Sequence, residues 1–232
     1  NGTGVYLRGV TDNTIGGSGA GEGNLILGNT LQGITIKAWA LSTDTGGNVI
    51  KGNTISTNTA GTVAEALGDR GIQGAIYIYD SSNNVIGGTE PGAGNLIASN
   101  TGDGIYLTQR NQATGNSILG NSIHSNSLKG INLGKSANDP GDWDVGPNNL
   151  QNSPVITSVS TLSGSTTIHG ALNSQAGKTY RLEFFSNTEP DPSGYGEGET
   201  LLGSTDVTTD GAGNAAFSMS FPGTPAFVTA TA

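Results

Sequence analysis

The chain contains no cysteine and only two histidines among its 232 residues. These absences exclude disulfide bonds, thiol nucleophiles and zinc sites built from cysteine and histidine. Calcium, which oxygen atoms bind, is the one metal that the composition leaves open. Positive charge is also scarce, because nine lysines and arginines stand against eighteen acidic residues, for a net charge of −9. With no basic stripe, nucleic-acid binding is not expected.

Long apolar runs are missing too, so the sequence predicts no segment that inserts into a membrane. Only 12% of the residues are charged while 39 are glycine, which argues against long helices. The first residues already read as the middle of a repeat. We therefore interpret the chain as a fragment that has neighbouring domains in a larger protein.

What the sequence does contain is self-similarity. The segment NTIGGSGAGEGNLILGN, residues 13–29, returns at residues 84–100 as NVIGGTEPGAGNLIASN. A short alternating strand pattern recurs five times, and segments of the form Gly-Asn-x-Ile-x-x-Asn lie between its copies. The copies of the strand pattern are residues 4–7, 33–36, 75–78, 104–107 and 130–133. Their spacings of 29, 42, 29 and 26 residues predict a solenoid of about five coils, one with a long insertion.

Strands this short bury too little surface to fold alone. Stacked coil on coil, they would form parallel sheets whose inward valine, isoleucine and leucine side chains make one core. The asparagines of the recurring segments, such as Asn24, Asn48, Asn95 and Asn116, would then fall at equivalent turns. We expect their amides to form a hydrogen-bonded ladder.

These coils resemble the right-handed parallel β-helix repeat proteins of the pectate-lyase-like superfamily. They are similar above all to large secreted or surface proteins of bacteria, in which NxIGG and GNxIxGN coils precede an immunoglobulin-like module. The resemblance implies a parallel β-helix over residues 1–137 and an extracellular or cell-surface location. It fails at the paired-Asp and Gly-His-Gly motifs of pectate lyases and polygalacturonases, which this sequence lacks.

The coil pattern ends after Leu133, and residues 138–153 form an acidic junction rich in glycine, asparagine and proline. Six longer alternating segments separated by turn residues follow it. They predict an antiparallel β-sandwich over residues 154–232. The resemblance implies that this sandwich is immunoglobulin-like and lacks a closing segment. The predicted fold class is thus all-β, a β-helix followed by a β-sandwich.

Period two along the strands assigns the residues between the inward ones to an outward face. On the predicted sheet whose first strand contains Val5, the outward face would carry Tyr6, Arg8, Lys37, Tyr77, Tyr79 and Tyr106. Aromatic rings beside cationic side chains would form a platform for a polysaccharide or cell-surface glycan. Alternatively, the tyrosines favour strand positions and stack for stability alone. Three variable loops, including a helical turn at residues 62–71, would be the walls of the groove.

Catalysis in the same groove, by a polysaccharide lyase or a glycoside hydrolase, is an alternative function. A glycosidase needs two carboxylates about 5 to 10 Å apart, and a lyase needs calcium-binding acids and a basic residue. Asp80, Asp103 and Arg110 are the candidates by position. Neither acid has an acidic partner in its own column. A third alternative is a structural spacer that holds another domain away from the cell.

Three carboxylates of the junction, Asp139, Asp142 and Asp144, lie within six residues. Such acids repel one another unless something neutralises them, and their alternation with glycine turns suits a flexible oxygen shell for calcium. The other interpretation is a solvated connector in which Trp143 caps the open end of the β-helix core. The sequence therefore predicts a secreted or surface module that binds glycan or mediates adhesion, with calcium as the only cofactor considered.

Overall fold

The computed structural model describes residues 2–38, 45–56, 58, 74–108, 113–134 and 137–232. The chain is all-β and divides into two compact units. The first unit contains residues 1–134, 146–148 and 191–197, and the second contains residues 135–145, 149–190 and 198–232. The predicted junction at residues 138–153 is therefore divided between them. Within the described residues, no helix is long and apolar enough to cross a membrane.

The first unit is built from three parallel sheets of short strands. Sheet 1 contains β1 (Val5–Arg8), β4 (Ile34–Lys37), β7 (Gly74–Tyr79), β10 (Asp103–Thr108) and β13 (Ile131–Asn132). Sheet 2 contains β2 (Thr14–Gly16), β5 (Val49–Lys51), β8 (Val85–Gly87) and β11 (Ser117–Leu119). Sheet 3 contains β3 (Leu25–Leu27), β6 (Thr54–Ser56), β9 (Leu96–Ala98) and β12 (Ser122–His124). Consecutive strands visit sheets 1, 2 and 3 in turn, so the described residues make four complete coils and begin a fifth.

The core of the first unit is a stack of aliphatic side chains. Each coil contributes isoleucine, leucine or valine at the inward positions of its strands, and the middle coils bury these side chains completely. Sheet 1 shows the predicted register, with Val5 opposite Ile34, Ile34 opposite Ile76 and Ile76 opposite Ile105. The predicted division into inward and outward positions on sheet 1 is therefore confirmed.

Asparagines occupy the corners between strands and form three ladders, not one. In each ladder, the backbone N–H and the Nδ2 of one asparagine donate to the Oδ1 of the asparagine in the next coil. The ladders are Asn13–Asn48–Asn84–Asn116, Asn24–Asn53–Asn95–Asn121 and Asn29–Asn58–Asn100–Asn126. Hydrogen-bonded stacking of asparagine amides is therefore confirmed, but Asn24 and Asn95 belong to a different ladder from Asn48 and Asn116.

The assumption that all four Gly-Asn-x-Ile-x-x-Asn segments are equivalent was wrong. Asn24 and Asn95 begin the segments that form β3 and β9, whereas Asn48 and Asn116 begin the segments that form β5 and β11. The same spacing of five residues between asparagines therefore occurs at two different corners. Both corners need an asparagine whose side chain can donate to the next coil. The segment therefore forms a corner of the coil, but it does not show which of the two corners that is.

Glycine permits close stacking at the corner between sheets 2 and 3. Gly52 has φ of +67°, and a Cβ added there would overlap the carbonyl oxygen of Gly17 and lie 3.1 Å from that of Gly92. Gly17 and Gly92 belong to the glycine-rich loops of the first and third coils, which therefore close over the second coil from both sides. Because the loops of the two NxIGG coils approach the second coil so closely, that coil needs glycine at this position.

The second unit contains two antiparallel sheets. Sheet 4 has the order β14 (Val155–Leu162), β15 (Ser165–Asn173) and β18 (Asn214–Pro222). Sheet 5 has the order β17 (Thr200–Thr208), β16 (Thr179–Asn187) and β19 (Phe227–Thr231). Side chains of both sheets, including Ile168, Phe184 and Phe217, form one buried core. The six predicted strands are all present, and a short 3-10 helix spans Pro147–Leu150.

Candidate functional site

Sheet 1 presents the predicted outward column. Its register aligns, coil by coil, Tyr6, Thr35, Tyr77, Tyr106 and Asn132. The rings of Tyr77 and Tyr106 stack with centroids 5.8 Å apart and an interplanar angle of 25°. The ring of Tyr79 lies 6.2 Å from that of Tyr77 at 44°. The parallel register thus brings three tyrosines of two neighbouring coils into one cluster.

Two cationic side chains lie in the same register column as Tyr79. Arg8 lies opposite Lys37 and Lys37 opposite Tyr79 in the next two coils. The Lys37 ammonium nitrogen is 5.1 Å from the centre of the Tyr79 ring, within the range of a cation–π interaction. The predicted neighbourhood of aromatic and cationic side chains is therefore present.

The column is not uniformly open to solvent. Tyr6 exposes 45% of its surface and Tyr106 is half-buried, but Tyr77 exposes only 2%, and Tyr79 and Lys37 are also buried. A covered ring offers no free face to a sugar. The accessible part of the predicted platform therefore consists of Tyr6, Arg8 and Tyr106.

The loops predicted as walls of the groove lie outside the described residues. This applies to the helical turn at 62–71, to Trp39 and to the loop that carries Arg110. The assignment of Arg110 as a base therefore stays a prediction.

Asp80 and Asp103 lie at opposite ends of the strands of sheet 1. Asp103 is paired with Gly74, and Asp80 follows six residues after Gly74 along the neighbouring strand. At about 3.3 Å per residue, the two acids are separated by about 20 Å along the strand direction. Since a glycosidase pair needs a separation of about 5 to 10 Å, these two carboxylates cannot act together across one bond.

Asp103 is instead part of the connection to the last coil. Its carboxylate accepts hydrogen bonds of 2.9 Å from the Lys129 backbone N–H and from the Asn132 side chain. Burial raises the pKa of the Asp103 carboxyl, while these two hydrogen bonds oppose the shift. Because the folded-state pKa lies above the unfolded one, the contribution of this group to stability falls as pH rises through that interval.

The three junction acids lie together in the second unit. Carboxylate oxygens of Asp139, Asp142 and Asp144 are all within 4.8 Å of one another, so this cluster could hold a metal ion. Asp142 has φ of +55° and is buried, with its carboxylate accepting from the Asn152 backbone N–H at 3.1 Å and from the Ser174 hydroxyl at 2.6 Å. The cluster is thus tied to the rest of the second unit by its central residue.

Trp143 does not cap a core, because 76% of its surface is exposed. Two other residues end two of the three asparagine ladders of the first unit. Asn148 accepts at Oδ1 from the Asn116 backbone N–H at 3.0 Å, and Glu197 accepts from the Asn126 side chain at 2.9 Å. Burial raises the pKa of Glu197, which the hydrogen bonds from Asn126 partly offset.

The two terminal residues differ in how far the sequence could have revealed them. Asn148 follows Asn116 by 32 residues, the interval that also separates Asn116 from Asn84. This spacing identifies Asn148 as the next member of the ladder. Glu197 lies 71 residues beyond Asn126 and outside the recurring segments, so no spacing in the sequence indicates that it ends a ladder.

No family model matches the chain, and no curated protein sequence is significantly similar to it.

Proposed function

We propose that the first unit is a right-handed parallel β-helix and the second an immunoglobulin-like β-sandwich of a secreted or cell-surface bacterial protein. The support for the β-helix is that successive strands enter three parallel sheets in turn. The support for the sandwich is that two three-stranded antiparallel sheets share one core. Adhesion and glycan binding are functions in keeping with such a surface module.

We propose further that the outward face of sheet 1 binds a glycan chain. The observation that carries this proposal is the in-register column in which the buried Tyr77 ring stacks on the half-buried Tyr106 ring. A ring held in this way loses little conformational entropy when a sugar packs against it. Tyr6 is three coils away from Tyr106, about 14 Å at 4.8 Å per coil, so an oligosaccharide can contact both rings.

The test is binding to a panel of acidic and neutral polysaccharides, measured by titration calorimetry. Alanine at Tyr6 or at Tyr106 removes one stacking surface, and we expect each change to weaken affinity about tenfold. The matched control is Tyr195→Ala, since Tyr195 is exposed but lies outside the column. Affinity that survives the Tyr6→Ala, Tyr106→Ala double variant contradicts the proposal.

A structural spacer is the second candidate function. The three continuous asparagine ladders and the isoleucine stack, which is completely buried in the middle coils, favour it, because both stiffen the first unit along its coils. Absence of binding to every polysaccharide in the panel would favour the spacer over the glycan-binding module.

We propose that the Asp139, Asp142 and Asp144 cluster binds calcium. Calcium prefers carboxylate oxygens in flexible geometry, and three of them converge here. An ion that binds only the folded state at a concentration of 100 times its Kd adds about 2.7 kcal/mol of stability. We expect calcium to raise the melting temperature of the second unit and a chelator to reverse the rise.

Asp144→Asn should abolish this response, because it removes one charge from the cluster without touching the two hydrogen bonds to Asp142. Asp206→Asn, on β17, is the control and should retain the response. A melting temperature that is the same with calcium and with chelator would argue against the site.

A further inference from the structure

Strand β14 has an unusual environment for a strand of a two-layer unit. In a sandwich, one face of each strand normally packs on the opposite sheet. In β14 only Ile156 joins the shared core, and all six residues from Thr157 to Leu162 are exposed. Both faces of this part of the strand are therefore open to solvent.

The outer edge of β14 is open as well. The strand pairs with β15 along one side and has no partner strand on its other side within the described part of the chain. A two-residue turn holds it in place, because Ser163 and Gly164 both have positive φ, as a type I′ hairpin requires. The hairpin therefore holds the backbone N–H and C=O groups of the outer edge in the geometry of a β-strand.

Edge strands of soluble proteins are usually protected by charged side chains, proline or short length. The other three edges show such protection: β17 carries Asp206, β18 ends at Pro222, and β19 has only five residues. The eight residues of β14 contain neither a charge nor a proline. Its only irregularity is a register shift between Ile156 and Ser158.

The charge distribution indicates the partner. No aspartate, glutamate, lysine or arginine occurs between residues 145 and 177, and none occurs in β18, so sheet 4 carries no formal charge except on protonation of His169. Elsewhere the chain has a net charge of −9, which disfavours contact between two copies. Sheet 4 is a surface on which two copies can meet without opposing like charges.

We propose that β14 pairs in antiparallel fashion with β14 of a second copy of this chain. An antiparallel pair of identical edge strands related by a two-fold axis satisfies the outer backbone groups of both. The two three-stranded sheets then form one continuous sheet of six strands. Exposed Val159 and Leu162 become partly buried in the pair, which supplies its apolar contact.

The test is the oligomeric state of the whole chain, measured by analytical ultracentrifugation from micromolar to millimolar concentration. A strand pair is a small interface, so the wild-type chain should be a concentration-dependent dimer. Val159→Lys places two ammonium groups close together in the dimer but leaves each solvated in the monomer, because Val159 is 45% exposed. We expect this variant to be monomeric with an unchanged melting temperature.

Leu201→Lys is the matched control, since Leu201 is 42% exposed on the β17 edge of the other sheet. It should dimerise like the wild type. Leu162→Lys, at a site that is 80% exposed, provides a second disrupting variant if Val159→Lys folds poorly. A wild-type chain that stays monomeric throughout, or dimerisation that both β14 variants retain, would overturn the proposal.

Discussion

Asn95→Ala is expected to lower the free energy of unfolding of the first unit by about 3–6 kcal/mol. Asn95 is 1% exposed and occupies a middle position of its ladder. Its Oδ1 accepts from the backbone N–H and the Nδ2 of Asn53, and its Nδ2 donates to the Ile50 carbonyl and to Asn121. Alanine leaves several buried polar groups without these partners, each at about 1–3 kcal/mol.

The measurement is urea denaturation followed by far-UV circular dichroism, in which the transition of the first unit should move to lower urea. Asn24→Ala is the matched control, because Asn24 belongs to the same ladder but is exposed, so water can replace its hydrogen bonds. We expect the control to cost about 1 kcal/mol. Equal effects of the two substitutions would show that burial of the ladder contributes nothing to its strength.

Gly52→Ala is the second substitution with a large expected effect, a destabilisation of about 4 kcal/mol or more. The left-handed conformation at φ of +67° strains any residue with a Cβ. The added methyl group would also overlap the Gly17 carbonyl oxygen. Backbone cannot move aside as a flexible side chain can, so the loop of the first coil would have to detach.

Gly21→Ala separates the two causes. Gly21 has φ of +81°, yet a Cβ there meets no atom within 4 Å. This variant should show only the conformational strain, about 1–2 kcal/mol. Thermal unfolding of both variants measures the difference. If Gly52→Ala costs no more than Gly21→Ala, the close approach of the loops is not a constraint on the fold.

The sequence predicted the strands and the column on sheet 1 because their signal is local. Alternation with period two assigns Ile34 and Thr35 to opposite faces whatever surrounds them, and the recurring strand pattern aligns the coils. The exposure of the column could not be predicted in this way. Whether Tyr77 is open or covered depends on what packs over it, and no pattern within the strand contains that information.

The confusion of two corners has a physical cause as well. At both corners, a ladder asparagine is followed by three strand residues. The next ladder asparagine lies five residues after the first, as in Asn48, Asn53 and Asn58. Each corner makes the same demand on the sequence, so a single motif describes both. Only the two glycine-rich loops, which lengthen this step to eleven residues between Asn13 and Asn24 and between Asn84 and Asn95, distinguish one corner from the other.

The ladders also give the first unit an electrical direction. In all three, each middle asparagine accepts at Oδ1 from the preceding coil and donates one Nδ2 hydrogen to the asparagine of the following coil, so these side-chain dipoles point the same way and add, as peptide dipoles do along a helix. The partial positive end of one row meets the Glu197 side chain, and that of another meets the Asn148 oxygen. The opposite end exposes the partial negative charge of the Asn24 oxygen. A further coil could therefore extend this ladder beyond Asn24 only if its amides donated towards the first coil, in the same orientation as the coils already present.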